Sequence, residues 1–301
     1  MQRRISADHR VVSAAFITAW LAASLAACGA GDRAASGAAV RDSAGVTIVE
    51  SAAPRWREGE GWRVVPEPAV EIGAVEGEEA YQLHRVAGAL RLGDGRIVVA
   101  NGGTSELRYY GPDGRHRHTA GGEGEGRTIA VVMWPLPFGR ASMSAVAGER
   151  VYAGANDAFE IGGYAPGSGL IRIVRRLRPN RAATADDIER FKQDRLTAAR
   201  DDDARRRIER QLAEVTFPET LPAFSGLAAD AAGNLWVQEY AVGDDVNRWD
   251  VFDPDGRWLG TVGLPPGLEP YEIGEDYVLG AVDDELGVER VRLHRIAKPA
   301  R

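Results

Sequence analysis

Oxygen-bearing side chains recur at one place in a repeated sequence unit. They are Asn101, Asn156 with Asp157, Glu239, and Asp283 with Asp284. Each follows the second apolar run of its unit. If such units stand around a common axis, these positions converge at one mouth of a channel, where carboxylate and amide oxygens could hold a hard cation such as calcium. The same residue types also cap strand ends and turns, which is their commoner employment. Other chemistry has less to stand on. The sequence has no Gly-x-Ser-x-Gly elbow, no cysteine after Cys28, and only His84, His116, His118 and His294 beyond residue 27. His116 and His118 alternate on an expected outer strand and so would point the same way, but two ligands do not make a metal site. The run Gly121–Gly126 lacks both the strand-to-helix context and the lysine of a phosphate loop, so it reads as a crossing between units. No residue is assigned a catalytic role.

The elements that would position these residues are short apolar runs punctuated by Gly, Pro and Asp, the pattern of an all-β chain. In one copy Arg96-Ile97-Val98-Val99-Ala100 follows Gly93-Asp94-Gly95, and Glu106 to Tyr110 runs into Gly111-Pro112-Asp113-Gly114. A second has Arg150-Val151-Tyr152-Ala153, then Phe159 to Tyr164 and Pro166-Gly167. The third has Asn234-Leu235-Trp236-Val237, then Arg248 to Phe252 and Asp253-Pro254-Asp255-Gly256. A fourth begins at Asp276-Tyr277-Val278-Leu279 and ends at Ile296. Proline presets φ at the second turn position, and glycine accepts the positive φ that re-enters the next strand. Each copy is then a four-stranded antiparallel sheet. Periods of roughly 40 to 50 residues of this kind predict a β-propeller, whose blades bury their faces only against neighbours. The fourth copy shows three strands, and Trp62 to Ile72 is expected to supply the missing one.

The N-terminus decides location. Arg3, Arg4 and Arg10 precede the apolar run Val11 to Ala27, which closes on Leu25-Ala26-Ala27-Cys28. This resembles the lipobox of bacterial lipoproteins, which implies lipidation of Cys28 and removal of residues 1–27. The run is shorter than the roughly 20 residues that span a bilayer. Two acyl chains give stable attachment at about 0.8 kcal/mol per buried methylene. The implied location is the cell envelope, lipid-anchored, and Gly29 after the cysteine favours the outer membrane, on its periplasmic or surface side. Losing three arginines and one aspartate leaves a net charge of −9 where the whole chain carries −7. An acidic body argues against nucleic acid as a partner. Residues 28–45 are rich in Gly, Ala and Ser and read as a tether reaching roughly 20 Å. Residues 46–301 form the folded domain.

The segments Arg41 to Glu50, Gly122 to Gly126 and Trp249 to Arg257 together look like a family of bacterial six-bladed, NHL-like β-propeller lipoproteins. The resemblance implies fold and location and no reaction. The chain departs from that family after Gly126, where about two blades are missing and only Arg127 to Leu136 precede Pro137-Phe138-Gly139-Arg140. About four blades are therefore expected, either closing as a smaller ring or standing open as an incomplete six-bladed propeller.

Thr184 to Val215 breaks the β pattern. Thr184 with Asp187 predicts a capping box. Ile188, Phe191 and Leu196 fall on one arc, and Ile208, Leu212 and Val215 on the opposite one, so a bend or hairpin near Asp201-Asp202-Asp203 is expected. Such an insert would serve as a handle for a partner or a cap over one mouth. The expected function is a membrane-anchored, non-catalytic binding or scaffold propeller for an envelope protein, peptide or glycan, with no cofactor. The alternative is a calcium-dependent hydrolase similar to lactonases of the gluconolactonase type, which use Glu, Asn and Asp ligands in this general way.

Overall fold

The computed structural model describes residues 37–122, 137–242, 247–284 and 286–299. Cys28, its flanking signal and most of the Gly121–Gly126 crossing lie outside them. The chain opens with β1 (Ala38–Ser43) and β2 (Val46–Ser51), a hairpin whose turn is tied by the Gly45 amide donating to Asp42 Oδ1 at 3.2 Å. Strand β1 thus begins at Ala38, inside the stretch expected to be tether. Asp42 to Gly45 supplies a turn there, and Val40 pairs with Val49. Next come β3 (Arg63–Val64) and β4 (Val70–Ile72).

The first blade is β5 (Val86–Arg91), β6 (Ile97–Asn101), β7 (Glu106–Tyr110) and β8 (His116–Gly121), paired in that order. The second is β9 (Ser142–Ala147), β10 (Arg150–Ala155), β11 (Glu160–Ala165) and β12 (Gly169–Arg176). Here β2 joins β12 in parallel, so this sheet has six strands instead of four. Helices α1 (Ala185–Thr197) and α2 (Asp202–Glu214) follow, breaking at Asp201 as the charge run predicts. The third blade is β13 (Phe224–Ala229), β14 (Leu235–Glu239), β15 (Arg248–Phe252) and β16 (Trp258–Gly263). The fourth is β17 (Glu269–Ile273), β18 (Tyr277–Asp283) and β19 (Glu289–Ala297), completed by β3 and β4 pairing antiparallel with β19. The N-terminal strand expected to close the fourth blade does so.

Strand alternation explains how the blades stack. Leu235 and Val237 of β14 pack with Tyr152, Ile161 and Val174 of the second blade. Trp236 between them points the other way, to Leu268, Ile273 and Val278 of the fourth. In β18, Val278 faces the third blade while Leu279 packs with Ile97, Val99 and Tyr110 of the first. Three apolar seams therefore join second to third, third to fourth and fourth to first. No such cluster among the described residues joins the first blade to the second. Leu90 (48% exposed) and Leu107 (44%) lie on that unclustered side of the first blade. Residues 123–136, which connect these two blades, are not described.

Two turn glycines serve the seams as well as the turns. Gly256 has φ of +83°, and a Cβ there would lie 2.9 Å from Val174 Cγ2 of the second blade. Gly114, in the matching Pro-Asp-Gly turn of the first blade, has φ of +77° and would meet Val70 Cγ1 at 2.9 Å. The N-terminal segment laces the arrangement. Arg55 and Trp56 donate backbone hydrogen bonds to Trp258 and Leu259 of the third blade, between β2 in the second and β3 in the fourth.

Candidate functional site

The second strands of the blades end on one rim, and the oxygen-bearing residues identified in the sequence lie along it. Asn101 is 1% exposed and Asn156 2%. Asn101 Oδ1 accepts from the His84 amide at 2.7 Å, and Asn156 Oδ1 accepts from the Ala141 amide, also at 2.7 Å. Each thus ties the end of a second strand to the start of its blade. The Asn156 carbonyl accepts from Ala223, linking the second blade to the third. Asn247 Nδ2 donates to the carbonyls of Pro265 and Leu268, linking third to fourth. Asp283 is exposed and stands opposite Glu289 in the β18–β19 backbone ladder, and Glu289 Oε2 accepts from the Val86 amide of the first blade. Asp284 caps its own turn through the amides of Leu286 and Val288, and Asp157 pairs with Arg140 at 3.3 Å. The side-chain oxygens of Asn101, Asn156, Asp157 and Asp284 are thus employed locally, while those of Asp283 make no hydrogen bond among the described residues. Among the described residues no three His, Cys, Asp or Glu side chains gather as a metal cage.

The histidine pair is a correction. A bulge in the β7–β8 pairing sets His118 opposite Tyr109 and His116 opposite Tyr110. His118 stacks on Tyr109 at 4.2 Å, and His116 meets Tyr110 edge-on at 5.7 Å. Those tyrosines point to opposite faces of the sheet, so the extra residue breaks the alternation that would have aligned the imidazoles.

Charge gathers at Glu239. Its Oε1 accepts from Arg178 Nη1 at 2.8 Å and lies 3.6 Å from Arg176 Nη1, while Oε2 accepts from Arg248 Nε at 3.0 Å. Burial alone would raise this carboxyl. The hydrogen bond from Arg178 and the charges of Arg178, Arg248 and Arg176 outweigh it and hold the group below its ordinary value. Arg176 also donates to Asp250, which is fully buried, accepts from Thr261 Oγ1 at 2.7 Å, and is raised by that burial. Arg176 lies over the Trp258 ring, 3.8 Å from its centroid. With Arg176 balanced by Asp250 and Arg178 and Arg248 sharing Glu239, the cluster carries one surplus positive charge.

Glu239 stands on the wall between two cavities. One, of about 350 Å³, is lined by Arg178, Arg181, Leu221, Tyr240 and Arg248. The other, of about 480 Å³, is lined by Ser225, Gln238, Asn247, Trp249 and Glu269.

The helical insert is built onto the same rim. Its stem is closed by the Ala182–Thr220 bridge, and the Leu221 amide donates to the Arg181 carbonyl at 2.8 Å. Thr184 and Asp187 form the predicted capping box, and Arg181 clamps Asp187 with two hydrogen bonds of 2.7 and 2.9 Å. The hydrogen bonds from Arg181 hold Asp187 far below its ordinary pKa, with those from Thr184 adding to them. Phe191 of α1 joins Phe138, Phe217 and Tyr240 in a ring cluster with centroid spacings of 5.4 to 6.2 Å. Tyr240 directly follows Glu239, so α1 is fastened beside the arginines. Sequence reading found Glu239 and the insert but missed Arg176, Arg178 and Arg248. The alternation of Arg176 with Arg178 at the close of β12 was the available signal, since it places both on one face.

No family model matches the chain, and no curated protein matches it. Among solved structures it is similar to glutaminyl cyclase of Myxococcus xanthus at 11% identity and a TM-score of 0.29, covering 79% of this chain and 99% of that one. It is also similar to regucalcin of Agrobacterium tumefaciens, described as a calcium-binding protein, at 11% identity and a TM-score of 0.26, covering 73% and 94%. The fold rests on the chain's own antiparallel sheets and their shared apolar seams: it is a β-propeller, with four blades among the described residues.

Proposed function

We propose that this chain is a lipid-anchored envelope protein whose propeller binds a partner, without catalysis, at the rim beneath the helical hairpin. The observation that carries this reading is the employment of Glu239. Each of its oxygens accepts from an arginine, on a wall between two cavities, and the lowered pKa that results makes it a weak base for withdrawing a proton. A polar recess flanked by an added structural element is suited to recognition. Attachment through Cys28 is supported by the lipobox-like Leu25-Ala26-Ala27-Cys28, and an outer-membrane location, on the periplasmic or surface side, by Gly29 after it. No helix among the described residues is long and apolar enough to cross a membrane. The calcium-dependent hydrolase reading lacks comparable support, because Asn101 and Asn156 spend their carbonyl oxygens on backbone amides.

The test is partner capture from native envelope by the whole chain and by a variant in which 184–215 is replaced with a short linker. Loss of a specific partner with little change in melting temperature supports the reading. Undiminished capture overturns it. Replacing Cys28 by serine should abolish labelling by a radioactive fatty acid and release the chain from the membrane fraction.

A further inference from the structure

We propose that the cavity bounded by Arg178 and Arg248 binds a carboxylate of a peptide partner. This rests on the binding reading above and names the chemistry of its ligand. Arg178 gives Glu239 one hydrogen bond, from Nη1, and Arg248 gives one, from Nε. Arg178 Nε and Nη2 and both terminal nitrogens of Arg248 make no hydrogen bond among the described residues. Both side chains reach solvent, at 34% and 60% exposure. Glu239 holds the two guanidinium groups side by side at the cavity wall. Their remaining donors form a prepared fork for a planar, two-oxygen anion. The surplus positive charge lies on a chain whose overall charge is negative, so it is a local feature with local use.

The rest of the cavity favours a peptide. Ala241 and Val242, both half-buried, give an apolar edge next to the arginines, matching an aliphatic side chain beside a carboxylate. Asn180 and Tyr240 also line the cavity, with Asn180 Nδ2 donating to the Asp157 carbonyl at 2.9 Å. A sugar would want an open aromatic face. Trp249 of the neighbouring cavity is 4% exposed and presents none, and the Tyr240 ring is engaged by Phe138.

The probe is a hexapeptide of alternating alanine and glutamate, titrated calorimetrically into the detergent-solubilised whole chain, beside its glutamine counterpart. Saturable binding of the acidic peptide, at least about tenfold tighter than the glutamine peptide, is expected. Arg248→Gln, at an exposed position, should weaken it about tenfold, and Arg178→Gln should do the same. Equal binding of the two peptides, or no effect of Arg248→Gln, overturns the proposal. Tighter binding of oligogalacturonate or inorganic phosphate overturns the assignment to a peptide. The hairpin experiment reads capture irrespective of charge. Capture that needs the insert but is indifferent to Arg178 and Arg248 sinks this inference alone.

Discussion

Arg176, at the end of a strand in the second blade, donates a hydrogen bond to the wholly buried Asp250 of the third. The two residues are 74 positions apart and meet across the seam between these blades. Removing one partner strands the other charge, which typically costs about 3–5 kcal/mol. Asp250→Ala should therefore lower unfolding stability by roughly that amount in urea titrations. Asp250→Asn, which keeps a side-chain acceptor for Thr261, should cost less. Equal stability of wild type and Asp250→Ala would show the pair is idle.

His294 sits where β19 receives the N-terminal strands. His294 is 1% exposed, Nδ1 lies 2.9 Å from the Val65 carbonyl, and Nε2 is buried with no partner among the described residues. Burial lowers its pKa below 6.5, and the nearby Arg292 charge adds to this. The folded state then binds fewer protons than the unfolded chain below that pH. Stability from this group is present above pH 6.5 and lost as pH falls toward the depressed folded value. Melting temperature should drop between pH 7 and pH 5 in the wild type, and less in His294→Asn. Parallel pH profiles would dismiss His294 as the source.

Gly256 combines a left-handed backbone with a close approach to Val174. Gly256→Ala should destabilise by about 1–3 kcal/mol, the usual cost of such backbone strain, with the tight contact adding to it. Gly45, also at positive φ (+81°) but with open space around it, should tolerate alanine better. Chemical denaturation of the two variants compares them directly.

The capping box at Thr184 should govern the insert without governing the propeller. Thr184→Ala removes the acceptor of the Asp187 amide and should cost about 1 kcal/mol locally. Hydrogen exchange in Ala185–Thr197 should accelerate severalfold while amides of β14 keep their protection. Equal acceleration in β14 would mean that insert and blade unfold together.

What could be read from the sequence was whatever short-range rules fix. The apolar run Leu235-Trp236-Val237 between Gly233 and Arg248 specified a strand whose alternate residues face two neighbours. Asp201 to Asp203 marked the break between two helices whose apolar arcs point opposite ways. Closure by Trp62 to Ile72 was legible because a three-stranded copy leaves an edge that must be filled. The parallel pairing of Ile48 with Ile173 has no local signature, since neither strand needs the other to satisfy its own turn. The bulge that separates His116 from His118 depends on register with β7, which a period-two count cannot see. Along the rim, side-chain oxygens were legible by type. Their employment was not, because the amides of His84 and Ala141 that occupy Asn101 and Asn156 are set by folding.

The pairing of β4 with β19 places Glu71 and Arg292, 221 residues apart in the chain, 2.7 Å from each other. A ribosome delivers the first of these long before the second. Throughout that interval β4 has no partner, and neither the fourth sheet nor its seam with the first can form. Completion of the fourth blade is therefore bound to wait for β19, and a chain cut short before β19 would keep β3 and β4 as open, adhesive edges.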